Sequence, residues 1–319
     1  MKKIAITGST GFVGSNVATL LQNAGYQVLG LTRKAESLPW VTRVTDLTSS
    51  SDLNDALTGV DAVIHAAIQN DFTTLINDRD AAFDSYVKTT ARVATAANLN
   101  KAQMIYISTD WIFDGLGHLM PETDRGNPVN YYGYLKAMGE QVVRDLCPES
   151  GAVCRISGVM GRHQTQPNAP RSQDVGFGFF VYTLVEALQA GRPFTVWNGP
   201  RVNNVACPSL AAEIGAQIER VIDLKATGTF HLVGDEPITR WDLAKLVCDV
   251  FELDVSLLSQ DFPPESELFP APVPVDSSMS NRLTKEALRL GPTPLRGLLE
   301  AFRLELATGE VSSITKSLH

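Results

Sequence analysis

Two residues that could move a proton stand one helical turn apart near the middle of the chain. Tyr132 and Lys136 form a YxxxK pair inside a helical pattern, so one turn places both side chains on the same face. A free tyrosine has a pKa of about 10, which is too high for easy proton transfer near neutrality. Because a nearby ammonium favours the phenolate, we expect Lys136 to lower the pKa of Tyr132. The pair therefore predicts a tyrosine that acts as acid or base at a substrate oxygen.

The N-terminal residues could bind a phosphate group. The stretch TGSTGFVG, residues 7–14, directly follows an apolar run and precedes a helical pattern. In that context Gly8 allows a tight turn, Gly11 lets a pyrophosphate approach the backbone, and Gly14 permits close packing of helix on sheet. The helix amides then face the phosphates, unless the stretch is only an ordinary glycine-rich turn. The predicted cofactor contacts here are Gly8, Thr10, Gly11, Phe12, Val13 and Gly14.

The first half of the chain has the pattern of a parallel sheet with crossover helices. Such a sheet would position both the Tyr132–Lys136 pair and the glycine-rich stretch. Short apolar runs alternate with longer helical patterns over residues 1–161, as in an α/β, doubly wound, Rossmann-type sheet. The predicted strands are 4–7, 27–32, 43–45, 62–66, 104–108 and 152–156, and the predicted helices are 13–24, one opening near Ser51 and capped by its hydroxyl, 84–97 and 131–146.

The second half, residues 162–319, has a different pattern. It opens with a polar segment, 162–176, which is too long for an ordinary connection and is typical of a functional or mobile loop. Helical patterns follow, so we expect a smaller α/β substrate-binding lobe, interleaved with the first domain. The predicted helices are 179–190, 209–222, 239–251 with a near capping box at Thr239, 283–289 and 295–307.

Composition excludes several classes of protein. The net charge of -8 argues against general nucleic-acid binding, although a few cations and amides suffice for one anionic ligand. The 4 cysteines form no CxxC pair and no ligand pattern with the 5 histidines, so we predict reduced, packed thiols and no metal site. The sequence shows no signal peptide and no apolar run long enough to cross a membrane, and we expect a cytoplasmic protein.

Three motifs, in this order, resemble the extended short-chain dehydrogenase/reductase family. They are TGxxGxxG at 7–14, the Ser-Thr pair of YISTDWIFDG at 106–115, and YxxxK at 132–136. The stretches STDWIFDG and PETDRGNPVNYYGYLKAMGE resemble more finely the dTDP-4-dehydrorhamnose reductase family. The resemblance is strong up to about residue 161 and weak beyond it.

The resemblance implies a nicotinamide-dependent oxidoreductase. A hydride from nicotinamide C4 would reach a ketone carbon while Tyr132 protonates the oxygen. Thr109 would hydrogen-bond and polarise that oxygen, and Lys136 would also hold the nicotinamide ribose. The further cofactor contacts that it implies are Asp46 and Leu47 beside the adenine, Ala66 and Ala67 along the middle of the cofactor, and Ser108.

The end of the second predicted strand distinguishes NAD from NADP. A carboxylate there would accept hydrogen bonds from the ribose hydroxyls of NAD and would repel a 2′-phosphate. This chain has Arg33 and Lys34 instead. NADP(H) is therefore favoured over NAD(H). His65, at the end of the fourth predicted strand, is more typical of a packed residue than of a base.

The substrate that the resemblance implies is a 4-keto sugar on a nucleoside diphosphate. Asp110 would accept from a sugar hydroxyl, and Trp111 would form a stacking wall. The diphosphate would meet Arg201, or else Arg162 or Arg171 of the long polar segment.

The chain departs from the reductase pattern in ways that leave alternatives open. Gly158 and Met160 replace two aromatic residues, and a smaller wall at Gly158 would admit a different sugar. Trp111 stands where the related dehydratases have a catalytic Glu, which argues against dehydration. A 4-epimerase needs only the Tyr, the Lys and a held cofactor. The regulatory beta subunit of methionine adenosyltransferase resembles the same reductases, so a non-catalytic NADP-binding role also stays open. A homodimer is expected by analogy with the fold.

Overall fold

A parallel sheet forms the centre of the molecule. The structure is a computed structural model and describes residues 1–68 and 72–315. In chain order the strands are β1 (Lys3–Thr7), β2 (Gln27–Thr32), β3 (Val41–Val44), β4 (Ala62–His65), β5 (Gln103–Thr109), β6 (Gly151–Ile156), β7 (Val159–Met160), β8 (Phe194–Trp197), β9 (Val205–Ala206), β10 (Ser209–Leu210), β11 (Gly228–His231), β12 (Ile238–Thr239) and β13 (Leu258–Asp261). The central sheet has the order β11-β6-β5-β4-β1-β2-β3. Strand order reverses between β1 and β4, where doubly wound folds bind their ligands. The predicted Rossmann-type α/β fold is confirmed.

Helices cover both faces of this sheet, which is why its strands are continuous apolar runs. In chain order, the helices of the described residues are α1 (Phe12–Asn23), α2 (Ser50–Leu57), α3 (Phe72–Asn77), α4 (Arg79–Phe83), α5 (Thr89–Leu99), α6 (Tyr131–Leu146), α7 (Phe180–Gln189), α8 (Ala211–Leu224), α9 (Arg240–Phe251), α10 (Arg282–Leu288) and α11 (Leu295–Thr308). Ile4 and Ile6 of β1 pack on the side of α1 and α8, whereas Ala5 packs on the side of α2, α5 and α6. Alternate residues of β1 thus pack into two different apolar cores, one on each face of the sheet.

The second half of the chain completes the sheet. Strand β11 pairs with β6, with Phe230 opposite Cys154. Helix α8 lies against α1, and a Cβ on Gly215 would stand 3.3 Å from the Leu20 Cβ, so the two helices approach closely. The sequence analysis missed β11, because its four residues contain a single large apolar side chain.

The remaining elements form the smaller lobe. The strands there make short pairs: β7 with β10, β9 with β12 and β8 with β13. Helices α7, α9 and α11 enclose an apolar core that includes Phe180, Leu243 and Phe302.

Local boundaries differ from the predictions at two helices. The cap of α2 is Ser49, whose hydroxyl accepts from the Asp52 amide at 3.3 Å, and Ser51 lies inside the helix. The predicted helix 84–97 is interrupted, because Asp84–Lys88 forms a π-helical segment between α4 and α5. The cap of α9 is confirmed: the Thr239 hydroxyl accepts from the Asp242 amide at 3.0 Å.

The structure also bears on the cysteines, on metal binding and on membrane spans. All 4 cysteines are free and buried, as predicted. Within residues 1–68 and 72–315, no group of His, Cys, Asp and Glu side chains is arranged to hold a metal ion. None of the described helices is both long and apolar enough to span a bilayer.

Candidate active site

The glycine-rich turn between β1 and α1 is shaped for a pyrophosphate. Gly8 has a φ of +73°, and a Cβ there would lie 2.7 Å from the Ala67 nitrogen. The Gly11 amide donates to the Gly8 carbonyl at 2.9 Å. A Cβ on Gly14 would overlap that same carbonyl. Gly11 caps α1 without a side-chain hydrogen bond, and the first turn contains no acid, so the amides of α1 suit a dinucleotide phosphate.

The ends of β2 and β3 carry the residues predicted to meet the adenosine. Arg33 and Lys34 are exposed directly after β2, and the Lys34 ammonium lies 3.8 Å from the Glu36 carboxylate. The Asp46 carboxylate accepts from the amide and hydroxyl of Thr48 at 2.8 and 2.7 Å, and these hydrogen bonds lower its pKa. Asp46 therefore closes the turn before α2, with its side chain at the surface.

His65 is a packed residue, as the sequence indicated. The Thr7 hydroxyl lies 2.7 Å from His65 Nδ1 and also accepts from the Ala67 amide at 3.2 Å. His65 Nε2 lies 3.1 Å from the Thr90 hydroxyl. Burial lowers the pKa of His65 to about 3, so its ring is neutral. This hydroxyl–imidazole chain fixes the end of β4, where Ala66 and Ala67 face the glycine turn.

Helix α6 presents the predicted acid. Asn130 caps the helix by accepting from the Gly133 amide at 2.9 Å, and Tyr132 lies in the first turn. The Tyr132 ring meets the Trp111 ring edge-on, with centroids 6.0 Å apart, and its phenol is a hydrogen-bond partner of Thr109. Burial and the Asp110 charge raise the pKa of Tyr132 to about 12, although the hydrogen bond with Thr109 lowers it. Tyr132 therefore holds its proton at neutral pH.

Lys136 lies one turn further on and is 4% exposed. Its ammonium donates to the Ile107 carbonyl at 2.5 Å and lies 4.3 Å from the centroid of the Tyr106 ring. Burial lowers the pKa of Lys136 to about 7, although the Glu140 charge raises it. The expected lowering of the Tyr132 pKa by Lys136 is therefore overturned: burial disfavours the charged form of both side chains.

A buried ion cluster lies beneath Lys136. Glu140 accepts from Arg155 Nε at 2.9 Å, from Arg155 Nη2 at 2.8 Å and from Arg144 at 2.7 Å. The Ser108 hydroxyl donates to Glu140 at 2.6 Å. His231 accepts from Arg155 at 3.1 Å through Nε2 and donates to a backbone carbonyl through Nδ1. The Ser108 side chain, a predicted cofactor contact, is thus committed to the cluster.

The Thr109 hydroxyl lies between Tyr132 and a second buried acid. It donates to Asp110 Oδ1 at 3.0 Å and accepts from the Trp111 amide at 3.2 Å. The other oxygen of Asp110 accepts from Ser157 at 2.6 Å and Ser277 at 2.5 Å. The role of Asp110 as acceptor for a sugar hydroxyl stays a prediction, and three protein hydroxyls already donate to it.

Two of the predicted substrate residues, Trp111 and Arg201, are linked through Phe269. The Trp111 ring meets the Phe269 ring at 5.7 Å between centroids. Arg201 donates to the Phe269 carbonyl at 3.1 Å and pairs with Glu265 at 3.0 Å. Gly158 has a φ of +51°, and a Cβ there would lie 3.1 Å from the Pro208 Cα. Arg201 and Trp111 are therefore near neighbours through Phe269.

The long polar segment 162–176 reaches both halves of the site. The Thr165 hydroxyl donates to the Thr10 carbonyl of the glycine turn at 2.8 Å. Further along, a Cβ on Gly176 would lie 3.1 Å from the Trp111 ring. Arg240 is 2% exposed and donates to carbonyls of this segment, including that of Asp174 at 3.0 Å. The segment is thus an ordered bridge between the turn and the tryptophan.

Residues after the segment strengthen the contact with the glycine turn. The Phe179 ring packs against the Phe12 ring at a tilt of 41°, with centroids 4.9 Å apart, and the Arg171 guanidinium lies 4.6 Å from the Phe179 centroid. Of the arginines considered for a diphosphate, Arg171 therefore lies near the turn, and Arg201 lies near Trp111.

Comparison with known protein families shows the family of this chain. Residues 1–307 match the RmlD substrate binding domain family. The chain belongs to this family. RmlD-family proteins are extended short-chain dehydrogenase/reductases that act on nucleotide sugars, so the predicted recognition and the enzyme class, an NAD(P)-dependent oxidoreductase, are both confirmed.

Individual relatives differ in their roles. The chain is 26% identical over 257 residues, 79% of its length and 81% of the other, to a probable low-salt glycan biosynthesis reductase of Haloferax volcanii. It is 27% identical over 265 residues, 81% of its length and 74% of the other, to methionine adenosyltransferase 2 subunit beta of Bos taurus. The dTDP-4-dehydrorhamnose reductase of Bacillus anthracis in complex with NADP has a TM-score of 0.78, covering 96% of this chain and all of the other. At 22% identity, that likeness shows the fold alone.

The structure adds residues that the sequence analysis did not single out. Ser157 and Ser277 bind Asp110, and Arg155 neutralises Glu140. Glu140 and Ser277 fall within stretches that resemble the reductases, which was the available signal. Their partners come from distant parts of the chain, so the sequence gives no spacing that pairs them.

Proposed function

We propose that the protein reduces the 4-keto group of a nucleotide-diphosphate sugar with NADPH. The observation that carries the proposal is the protonated Tyr132 phenol, hydrogen-bonded to Thr109 at the carboxyl end of the sheet. Ketone reduction needs a hydride on the carbonyl carbon and a proton on its oxygen. NADPH supplies the hydride when bound. Tyr132 would supply the proton, which it holds at neutral pH.

In this proposal the cofactor and the nucleotide sugar bind on opposite sides of Tyr132. The open amides of α1 would hold the pyrophosphate, Arg33 and Lys34 the 2′-phosphate, and Lys136 the nicotinamide ribose. On the other side Trp111 would stack on the sugar, and Arg201, which lies near Trp111 through Phe269, would meet the diphosphate.

The test is NADPH oxidation, followed by absorbance, with a panel of nucleotide-linked 4-keto sugars and with NADH in parallel. Tyr132→Phe should lower kcat by roughly 10²–10⁴-fold, because the reacting oxygen loses its acid, with NADPH affinity unchanged. Tyr134→Phe is the matched control, because Tyr134 lies on the same helix and is 55% exposed.

Two other results would redirect the assignment. Interconversion of 4-epimers without net consumption of NADPH would identify an epimerase. Tight NADP(H) binding with no turnover across the panel would contradict the reductase and favour a regulatory subunit, the role that the relative from Bos taurus suggests.

Other expectations also stay predictions. They are a homodimer, a cytoplasmic location, the absence of nucleic-acid binding, and the domain boundary between residues 161 and 162.

A further inference from the structure

The end of the long polar segment, just before α7, is buried backbone that belongs to no helix or strand. Its Val175 is 4% exposed, and buried carbonyls need donors from elsewhere in the fold. Arg240 supplies two of them: one guanidinium nitrogen donates to the Gly176 carbonyl and the other to the Asp174 carbonyl at 3.0 Å. The Asn203 amide donates to the Val175 carbonyl at 2.8 Å. Three consecutive carbonyls are thus bound by residues of the smaller lobe.

Arg240 is itself fixed from several sides. Its guanidinium lies 4.6 Å from the centroid of the Phe180 ring and 5.2 Å from that of Phe177, and its amide donates to the Asn204 carbonyl at 3.0 Å. Burial lowers the pKa of Arg240 to about 10, although the Asp174 charge raises it, so the side chain is charged at neutral pH. A planar guanidinium presents donors in a rigid fork, whereas an ammonium is a point charge. Arginine therefore joins the end of the polar segment to the apolar core of the smaller lobe.

The same end of the segment touches the ring that is predicted to meet the sugar. A Cβ on Gly176 would lie 3.1 Å from the Trp111 ring, so the backbone itself packs against the indole. That ring meets Tyr132 and Phe269 edge-on, at 6.0 and 5.7 Å between centroids. The position of Trp111 beside the predicted acid therefore depends on where Gly176 is held.

We propose that Arg240 is a positioning residue that holds the backbone of Asp174 and Gly176 against Trp111 and so sets the shape of the sugar side of the site. Arg240 acts on the substrate through Trp111 and touches none of the reacting groups. Its effect on sugar binding rests on the proposed reductase function. The contact between the polar segment and Trp111 does not depend on any substrate.

The Arg240→Met variant separates the hydrogen bonds of Arg240 from its packing. Methionine is flexible and makes favourable contacts with aromatic rings, so it keeps apolar contact with Phe177 and Phe180. It has no N–H group in its side chain, so the carbonyls of Asp174 and Gly176 lose their donor. A change in this variant therefore reports the lost hydrogen bonds.

Arg303→Met is the matched control. Arg303 lies on α11 in the smaller lobe, and its guanidinium also donates to a main-chain carbonyl, that of Val250, at 2.6 Å. The substitution therefore makes the same chemical change in the same lobe without altering a donor to the polar segment.

The position of Trp111 is read by 19F NMR with 6-fluorotryptophan. The chain has 4 tryptophans, and Trp111→Phe identifies the Trp111 signal by its loss. In Arg240→Met we expect this signal to shift, because Gly176 is no longer held against the ring, while in Arg303→Met it should stay in place. An unchanged Trp111 signal in Arg240→Met would overturn the proposal. A shift that includes Trp40, which is 4% exposed in the core beside the sheet, would assign Arg240 a general structural role and would also contradict it.

Gly176→Ala tests the contact from its other end, should Arg240→Met fail to fold. The new methyl group would lie 3.1 Å from the Trp111 ring, which is tighter than an ordinary contact, so the ring and the segment must move apart while Arg240 keeps its acceptors. We expect the Trp111 signal to shift here too. If it does not, the segment does not set the position of the ring and the proposal is wrong.

Kinetics then separates positioning from a structural role. A purely structural loss lowers the active fraction, so the apparent kcat falls and KM stays. For Arg240→Met we expect KM for the nucleotide sugar to rise roughly tenfold and KM for NADPH to stay within about twofold, because only the sugar side is displaced. A fall in kcat alone would contradict the proposal. A wild-type protein whose Trp111 signal responds as expected but that consumes no NADPH would contradict the proposed function alone.

Discussion

Glu140 on α6 and Asp110 after β5 are two buried carboxylates, and they are stabilised in opposite ways. Glu140 is 0% exposed and meets two guanidinium groups; Asp110 is 6% exposed and accepts from the hydroxyls of Thr109, Ser157 and Ser277. Burial would raise the pKa of Glu140, but hydrogen bonds and charges from Arg155 and Arg144 bring it below its usual value. Burial raises the pKa of Asp110, and its hydroxyl donors offset only part of that effect.

Both carboxylates are buried, so the charge of their partners decides whether the pKa is lowered, as for Glu140, or raised, as for Asp110. Glu140 remains ionised and raises the pKa of the neighbouring Lys136. Asp110 raises the pKa of Tyr132. Lys136 and Tyr132 thus each have a buried acid beside them, Glu140 paired with cations and Asp110 bound by hydroxyls.

Removal of the ion-paired acid should have the largest effect. Glu140→Ala leaves the fully buried Arg155 without its counter-ion, so we expect the free energy of unfolding to fall by about 3–5 kcal/mol. Asp110→Asn keeps the shape and, through its amide oxygen, the hydrogen bonds from Ser157 and Ser277, so it should cost only about 1 kcal/mol. Urea denaturation measures both values. An equal loss of unfolding free energy in the two variants would contradict the comparison, because the guanidinium partners of Glu140 and the hydroxyl partners of Asp110 would then matter equally for stability.

The two acids should also respond oppositely to pH. Glu140 has a lowered pKa, so the unfolded chain binds more protons in the acid range, and its contribution to stability grows as pH rises. Asp110 has a raised pKa, so the folded protein binds the extra proton, and its contribution shrinks over the same rise. The unfolding free energy relative to Glu140→Gln should therefore increase from about pH 3 to 6, and that relative to Asp110→Asn should decrease. Slopes of the same sign would contradict the comparison.

The smallest effect is expected at the outer member of the ion cluster. The Arg144 side chain is 31% exposed, so water solvates Glu140 partly in its place once it is removed. Arg144→Ala should cost about 0–1 kcal/mol in unfolding free energy. A loss as large as that of Glu140→Ala would mean that Arg144, not Arg155, holds the buried charge.

Much of the scaffold could be predicted because its signals are local. The YxxxK helix was predicted at 131–146, the bounds that the structure gives it, because a helical pattern is read from neighbouring residues. The capping serine of α2 was misplaced by two residues, since three consecutive serines offer equivalent hydroxyls.

The electrostatics of the site could not be predicted in the same way. Whether Lys136 lowers the pKa of Tyr132 depends on how deeply both are buried, and burial is a property of the folded molecule. The partners of Asp110 are Ser157 and Ser277, which lie 47 and 167 residues away in the chain. Only the fold brings such groups together.

The placement of α8 and β11 has a consequence for how the protein is made. A ribosome completes β1 and α1 early, but α8, which covers α1, ends only at Leu224, and β11 closes the sheet edge after that. At 5–20 residues per second, the apolar face of α1 waits on the order of ten seconds or more for its cover. The nascent chain therefore exposes Leu20 and its neighbours until residue 224 has been made.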